Sequence, residues 1–115
     1  VFVELIGDVA LRRCPCGEDV ALEMIGSVRA AALLKGARGR PPADVAALAR
    51  MLARVSAFAA AAGPRLRSLD LNPVVATADG AFALDAMLEL AAPAAPDHPA
   101  AAAAEPGLAA AAALH

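Results

Sequence analysis

Apolar residues over the first ninety positions recur with two different periods. Val1-Phe2-Val3-Glu4-Leu5-Ile6 is a short run rich in β-branched side chains and reads as a strand. Gly7-Asp8 turns it toward a second strand, Val9 to Arg13. The period then lengthens. Ala21, Met24, Ile25, Val28 and Ala32 fall at helical spacing and form one stripe. Glu18-Asp19 place acidic groups in the first turn of that helix, where its dipole favours them. From Leu34 to Pro42 the helix is broken: Gly36 and Gly39 permit unusual backbone angles, and Pro41-Pro42 block regular continuation. Asp44 is a good N-cap for a second helix. Val45, Leu48, Leu52, Val55 and Ala59 line its buried face, Arg50 and Arg54 lie four apart toward solvent, and Gly63-Pro64 ends it. Leu66 to Ala76 reads as a strand, Thr77-Ala78-Asp79-Gly80 as a turn, and Ala81 to Leu88 as the returning strand. The order strand, strand, helix, helix, strand, strand predicts an α+β fold, a mostly antiparallel sheet with two helices packed on one side.

Beyond about Ala91 the pattern stops. The remainder is Ala and Pro, with Pro93, Pro96, Pro99 and Pro106 interrupting any early helix; Leu108 to Leu114 reads as transiently helical. Two segments follow: a domain over 1–90 and a disordered, Ala/Pro-rich tail over 91–115. At 115 residues the chain holds one modest domain. Its opening inside a strand-like run suggests a portion of something longer.

Charge and composition narrow the classes. Lys and Arg total 10 and balance the acidic residues of the body, so the net −2 comes from Asp97 and Glu105 in the tail. Without a basic surplus, and with three Phe and no Tyr or Trp, nucleic acid is not an expected partner. No uninterrupted apolar run approaches the roughly 20 residues of a membrane span, so no membrane partner is expected either. No leader-like segment opens the chain. Cys14 and Cys16 flank Pro15, too close for an unstrained disulfide and too few for a zinc site. They read as reduced structural thiols of a cytoplasmic protein.

The chemistry concentrates in Leu69-Asp70-Leu71-Asn72-Pro73 and in Asp85. Strand alternation points Asp70 and Asn72 the same way. A four-residue loop over Thr77–Gly80 pairs Ala76 with Ala81 and so Asn72 with Asp85. A two-residue loop at Asp79-Gly80 pairs Ala78 with Ala81 and puts Asp85 opposite Val74, diagonal to Asn72. Both registers gather the three side chains on one face; a three- or five-residue loop would not. Opposed Cβ atoms lie about 5 Å apart and diagonal ones about 7–8 Å, either of which lets two oxygens share a hard cation. Mg²⁺ takes oxygen ligands at about 2.0–2.1 Å and keeps positions for phosphates. Pro73 donates no ladder bond, so the strand there is an edge or a bulge. On spacing alone, turn-capping by the same side chains is the competing reading.

Three ordered segments resemble one family. Val1-Phe2-Val3-Glu4-Leu5 with Asp8-Val9-Ala10-Leu11-Arg12, then Leu33-Leu34-Lys35-Gly36-Ala37-Arg38-Gly39-Arg40-Pro41-Pro42-Ala43-Asp44, then Leu69-Asp70-Leu71-Asn72-Pro73-Val74 with Asp85-Ala86, are together similar to the closing part of the ATP-grasp domain of ADP-forming (NDP-forming) acyl-CoA synthetases, the acetate–CoA ligase family. The resemblance covers 1 to about 90. It implies an ATP-grasp C-terminal subdomain, Mg²⁺ and ATP/ADP as cofactors, and a ligase reaction joining a small carboxylic acid to CoA. Carried over by position, Asp70, Asn72 and Asp85 would bind magnesium, with Asn72 and Asp85 also facing the nucleotide. Asp70 stands where the family also uses Glu.

Arg38, between Gly36 and Gly39, is a candidate phosphate or substrate contact, since guanidinium suits oxyanions; a solvent-exposed loop Arg is the other reading. Arg12 and Glu4 read as sheet-surface residues. The Arg13-Cys14-Pro15-Cys16 stretch departs from the family, as does Ser68, where an acidic residue is frequent. The resemblance implies a further ATP-grasp half, CoA-binding domains and a phosphate-carrying histidine, expected in cis or as a second subunit; His98 and His115 match none of these. Two other readings stand: the ATP-grasp module of a protein lysine acetyltransferase-type fusion, and a non-catalytic α+β interaction module.

Overall fold

The computed structural model describes residues 8–36, 39–92 and 109–112. The expected first strand, with Glu4, lies outside the described residues, as does most of the tail. Within them the chain runs β1 (Ala10–Arg13), α1 (Glu18–Ser27), a 3₁₀ segment (Arg29–Lys35), α2 (Val45–Ala62), a short 3₁₀ turn (Gly63–Arg65), β2 (Leu66–Leu71), β3 (Val74–Thr77), β4 (Gly80–Ala83), β5 (Ala86–Leu90) and β6 (Ala109–Ala112). All strand pairs are antiparallel: β1 with β6, β2 with β5, β3 with β4. This is the expected α+β arrangement, with α1 and α2 packed together and α2 lying on the hairpin.

The stripe predicted for α1 is buried at Ala21, Met24, Ile25 and Val28. Ala32 is not; it is exposed. The cause is local. The helix ends at Ser27, Val28 takes an extended conformation (φ −89°, ψ 149°), and the chain restarts as a 3₁₀ segment, so the 3.6-residue phase is lost. The restart is capped from a distance: Asp8 accepts from the backbone N–H of Arg29 and, at 3.2 Å, from that of Ala30. Asp8 therefore holds the entry to β1 against the exit of α1.

Helix α2 follows its sequence signals. Asp44 caps it by accepting from Ala47 N–H at 3.0 Å. The Asp44 N–H also donates to the Thr77 carbonyl at 2.7 Å, so the same residue ties the helix start to the tip of the hairpin. Asp44→Ala removes the side-chain cap and is expected to lower stability by about 1 kcal/mol, read from denaturant unfolding. Leu48 and Ala59 are buried, Val45, Leu52 and Val55 half-buried, Arg50 and Arg54 exposed. By length and composition the Val45–Arg65 stretch could cross a bilayer. Arg50 and Arg54 sit within it, each unfavourable by roughly 2.5–3.5 kcal/mol at a bilayer centre, and its other face packs on α1 and the hairpin.

One buried position has no apolar logic. Ser56 is fully buried (0% exposed) in α2. Its hydroxyl accepts from Cys16 N–H at 3.0 Å and lies 2.8 Å from the Ala53 carbonyl and 3.2 Å from that of Cys16. A buried hydroxyl is tolerated when it is bonded, and this one pins the β1–α1 loop to α2. Ser56→Ala leaves the Cys16 N–H without its partner and is expected to cost about 1–3 kcal/mol, measurable as a lowered denaturation midpoint with unchanged slope.

Of the tail, residues 109–112 are extended and pair with β1, where the sequence reads as disordered or transiently helical. An unpaired strand edge offers backbone groups that a nearby chain segment satisfies by pairing, which overrides the weak helical preference of an Ala run.

Candidate metal centre on the hairpin

The strand read from Leu66 to Ala76 is interrupted at Asn72-Pro73, opposite a matching break at Leu84-Asp85. Pro73 brings no N–H to the ladder, as its position predicts. The register nevertheless carries through. Leu71 pairs with Ala86 and Asp70 with Met87 below the break; Val74 pairs with Ala83 and Ala76 with Ala81 above it. Between them, Asn72 N–H donates to the Asp85 carbonyl (3.1 Å) and Leu84 N–H to the Pro73 carbonyl (2.9 Å). Asn72 is therefore directly opposite Asp85.

This is the first of the two registers that the sequence allows. The second, with a loop at Asp79-Gly80, is not formed. Thr77 and Gly80 themselves pair, so the loop proper is Ala78-Asp79. Its chemistry explains the choice. Thr77 Oγ1 accepts from Asp79 N–H at 3.0 Å, and Gly80 takes φ +142°, which other residues rarely adopt.

Burial reports what the break does to the faces. Leu69 and Leu71 are half-buried, then Val74 and Ala76, so the inward positions change from odd to even across Asn72-Pro73. Val74, Ala76 and Ala81 pack on a core cluster of Ala21, Ile25, Leu48 and Ala49. The upper hairpin is thus seated on both helices, while Asp70, Asn72 and Asp85 are all exposed. Asp85 Oδ1 accepts from Ala86 N–H at 2.8 Å, which orients the carboxylate and leaves Oδ2 open. Among the described residues nothing bonds the carboxylate of Asp70 or the amide of Asn72. Asp70, Asn72 and Asp85 carry hard oxygen donors of the kind that magnesium takes; among the described residues no three His, Cys, Asp or Glu gather into a metal-holding group, so the third donor here is the Asn72 amide.

The other candidates fare differently. Arg38 lies outside the described residues. Arg12 makes an exposed ion pair with Glu23 (3.7 Å) and donates to the Leu11 carbonyl, the surface role read from its sequence position. Ser68 lies opposite Glu89, with its hydroxyl 3.4 Å from the carboxylate. Asp8 and Ser56, which hold the loops around α1, were not legible as such, because their partners are 21 or more positions away.

The described residues thus form an α+β unit in which a hairpin bearing three exposed oxygen donors is seated on two helices. The family model for the ATP-grasp domain matches residues 1–90, and the chain belongs to that family. It is 39% identical over 90 residues to the acetate–CoA ligase [ADP-forming] I subunit beta of Pyrococcus furiosus, a match covering 78% of this chain and 38% of that one. It is 31% identical over 80 residues to the 4-hydroxybutyrate–CoA ligase [ADP-forming] of Nitrosopumilus maritimus, covering 70% of this chain and 11% of that one. Among solved structures it is similar to the Ca. Korarchaeum cryptofilum dinucleotide forming acetyl-coenzyme A synthetase 1 in complex with coenzyme A, Ca-AMPCP and HgCl⁺. There the TM-score is 0.72 at 38% identity, over 79% of this chain and 39% of the other. The chain thus spans about two fifths of the Pyrococcus subunit and about a tenth of the Nitrosopumilus ligase.

Proposed function

We propose that this chain supplies the magnesium–nucleotide wall of an ADP-forming acid–CoA ligase. The reaction is carboxylate + CoA + ATP giving acyl-CoA + ADP + phosphate. The observation that carries the reading is the hairpin register: in a chain of this family, Asn72 stands opposite Asp85, with Asp70 two residues before it near the end of β2. Asp70, Asn72 and Asp85 hold the cation by their oxygens. When bound, Mg²⁺ neutralises phosphate charge and aligns the transferring group. The protein's own work is to hold those donors in place. Asp85 is oriented by Ala86 N–H, and the strands are seated by Val74, Ala76 and Ala81 on the helices. Arg38 contacts the phosphates or the substrate carboxylate. ATP/ADP, CoA and a small carboxylic acid are the small-molecule partners. The other ATP-grasp half and the CoA-binding domains complete the site in cis or as a second subunit. That the Korarchaeum synthetase forms a complex with Ca-AMPCP supports the nucleotide assignment.

The test joins this chain to the rest of its ligase and follows ADP release with CoA and simple carboxylates, with and without Mg²⁺. Mg-dependent ADP and acyl-CoA formation in equal amounts is expected. A folded complex that turns over no nucleotide with any carboxylate, or that acetylates protein lysines instead, overturns the reading.

A further inference from the structure

The β1–α1 loop carries a second constellation, unrelated to the hairpin. Cys14 and Cys16 are both free thiols and both half-buried. They are separated only by Pro15, and both pack against the same cluster, built from Ala10, Met24 and Val28. Met24 in that cluster is fully buried (0% exposed), so both cysteines rest on an apolar floor. The loop is anchored: the Ser56 hydroxyl sits within hydrogen-bond reach of both the N–H and the carbonyl of Cys16. Burial, and secondarily the neighbouring Cys16, push the Cys14 thiol up, so metal binding there must displace its proton.

We propose that Cys14 and Cys16 form a chelating dithiol site for a soft d¹⁰ metal ion, with Cu(I) as its natural occupant. The chemistry follows from what the loop can and cannot reach. A disulfide needs its sulfurs about 2.05 Å apart and is strained between residues this close in sequence. Two sulfurs sharing one metal sit roughly 4–4.6 Å apart, given metal–sulfur bonds near 2.3 Å, a span that neighbouring side chains reach without distorting the backbone. Structural zinc takes four ligands, and among the described residues no third Cys, His, Asp or Glu joins the pair. Magnesium prefers oxygen. Cu(I) favours soft thiolate ligands, and two of them suffice for the linear coordination that a d¹⁰ monovalent ion accepts. On binding, the ion displaces both thiol protons: two thiols plus one M⁺ give the anionic bis-thiolate complex and two H⁺, with no oxidation or reduction. Occupancy would cross-link the end of β1 to the start of α1.

The full chain, reduced and under anaerobic conditions, is titrated with Cu(I) against a chromophoric Cu(I) chelator. One ion per chain is expected. Cys14→Ser and Cys16→Ser are each expected to weaken binding by more than the roughly 100-fold that loss of an outer-shell support costs, and the double substitution to abolish it. Equal affinity in the wild type and the double variant overturns the proposal, as does undiminished affinity in either single variant. A readout free of substitutions accompanies it: both wild-type thiols should resist alkylation at saturating Cu(I), and alkylation at the metal-free rate overturns the assignment.

Discussion

Asp85→Asn in the complete ligase is expected to lower Mg-dependent ADP formation by about 10²–10³-fold, the scale on which one preorganised electrostatic group acts. The substitution is chosen for what it keeps. Asp85 Oδ1 accepts from Ala86 N–H, and an amide oxygen accepts the same bond, so the local backbone is preserved while one negative charge is lost. Asn72→Ala removes the oxygen facing Asp85 without touching the Asn72 N–H bond to the Asp85 carbonyl. Both residues are exposed, so neither change should lower thermal stability appreciably. The expected signature is kinetic: a raised Mg²⁺ requirement, strongest in Asp85→Asn. Asp79→Ala is the internal control. Asp79 is also an acidic hairpin residue, but it lies in the two-residue loop with its N–H on Thr77 Oγ1. Activity lost equally in Asp79→Ala and Asp85→Asn would show a general effect of hairpin charge. Activity retained in both Asp85→Asn and Asn72→Ala would remove the magnesium assignment.

Much of that geometry could be counted from the sequence because a hairpin has few freedoms. Side chains alternate, the loop length fixes the register, and Pro73 marks where the ladder fails. The choice between the two registers was not legible, since it depends on Thr77 bonding back to Asp79 and on the backbone angle of Gly80. Helix α2 was legible from its cap, its stripe and Gly63. The end of α1 was not. Nothing in Ser27-Val28-Arg29 breaks a helix by propensity. The break is stabilised by Asp8, an interaction 21 positions away that no local pattern reveals. Ser56 escaped for the same reason: its hydroxyl bonds the loop at Cys16, and an isolated Ser on an Ala-rich helix reads as neutral. Local signals gave most elements and narrowed the hairpin to two registers; the contacts that hold one element to another lay beyond them.

Those inter-element contacts meet at Met24, and Met24→Ala is expected to be the most destabilising single change in the body of the chain. Met24 is 0% exposed in the cluster with Ala10 and Val28, against which Cys14, Cys16, Val20, Ala31 and Leu52 also pack. It therefore joins β1, α1 and α2. Truncating a buried Met to Ala loses the transfer free energy of the side chain and leaves a cavity, about 2–5 kcal/mol in all. That is a large share of the roughly 5–15 kcal/mol that stabilises a typical domain. Relaxation offers little relief, because neighbouring Ala10 is too small to move in and fill the space. Met24→Leu keeps nearly the same volume and should cost less than about 1.5 kcal/mol. The hairpin, by contrast, is seated on the other cluster, through Val74, Ala76 and Ala81. Met24→Ala should then reduce the amount of folded protein while leaving the Mg²⁺ requirement of the surviving ligase unchanged. Denaturant unfolding of both variants, with activity normalised to folded protein, separates these effects. Equal midpoints for Met24→Ala and Met24→Leu would mean that this cluster does not hold β1, α1 and α2 together.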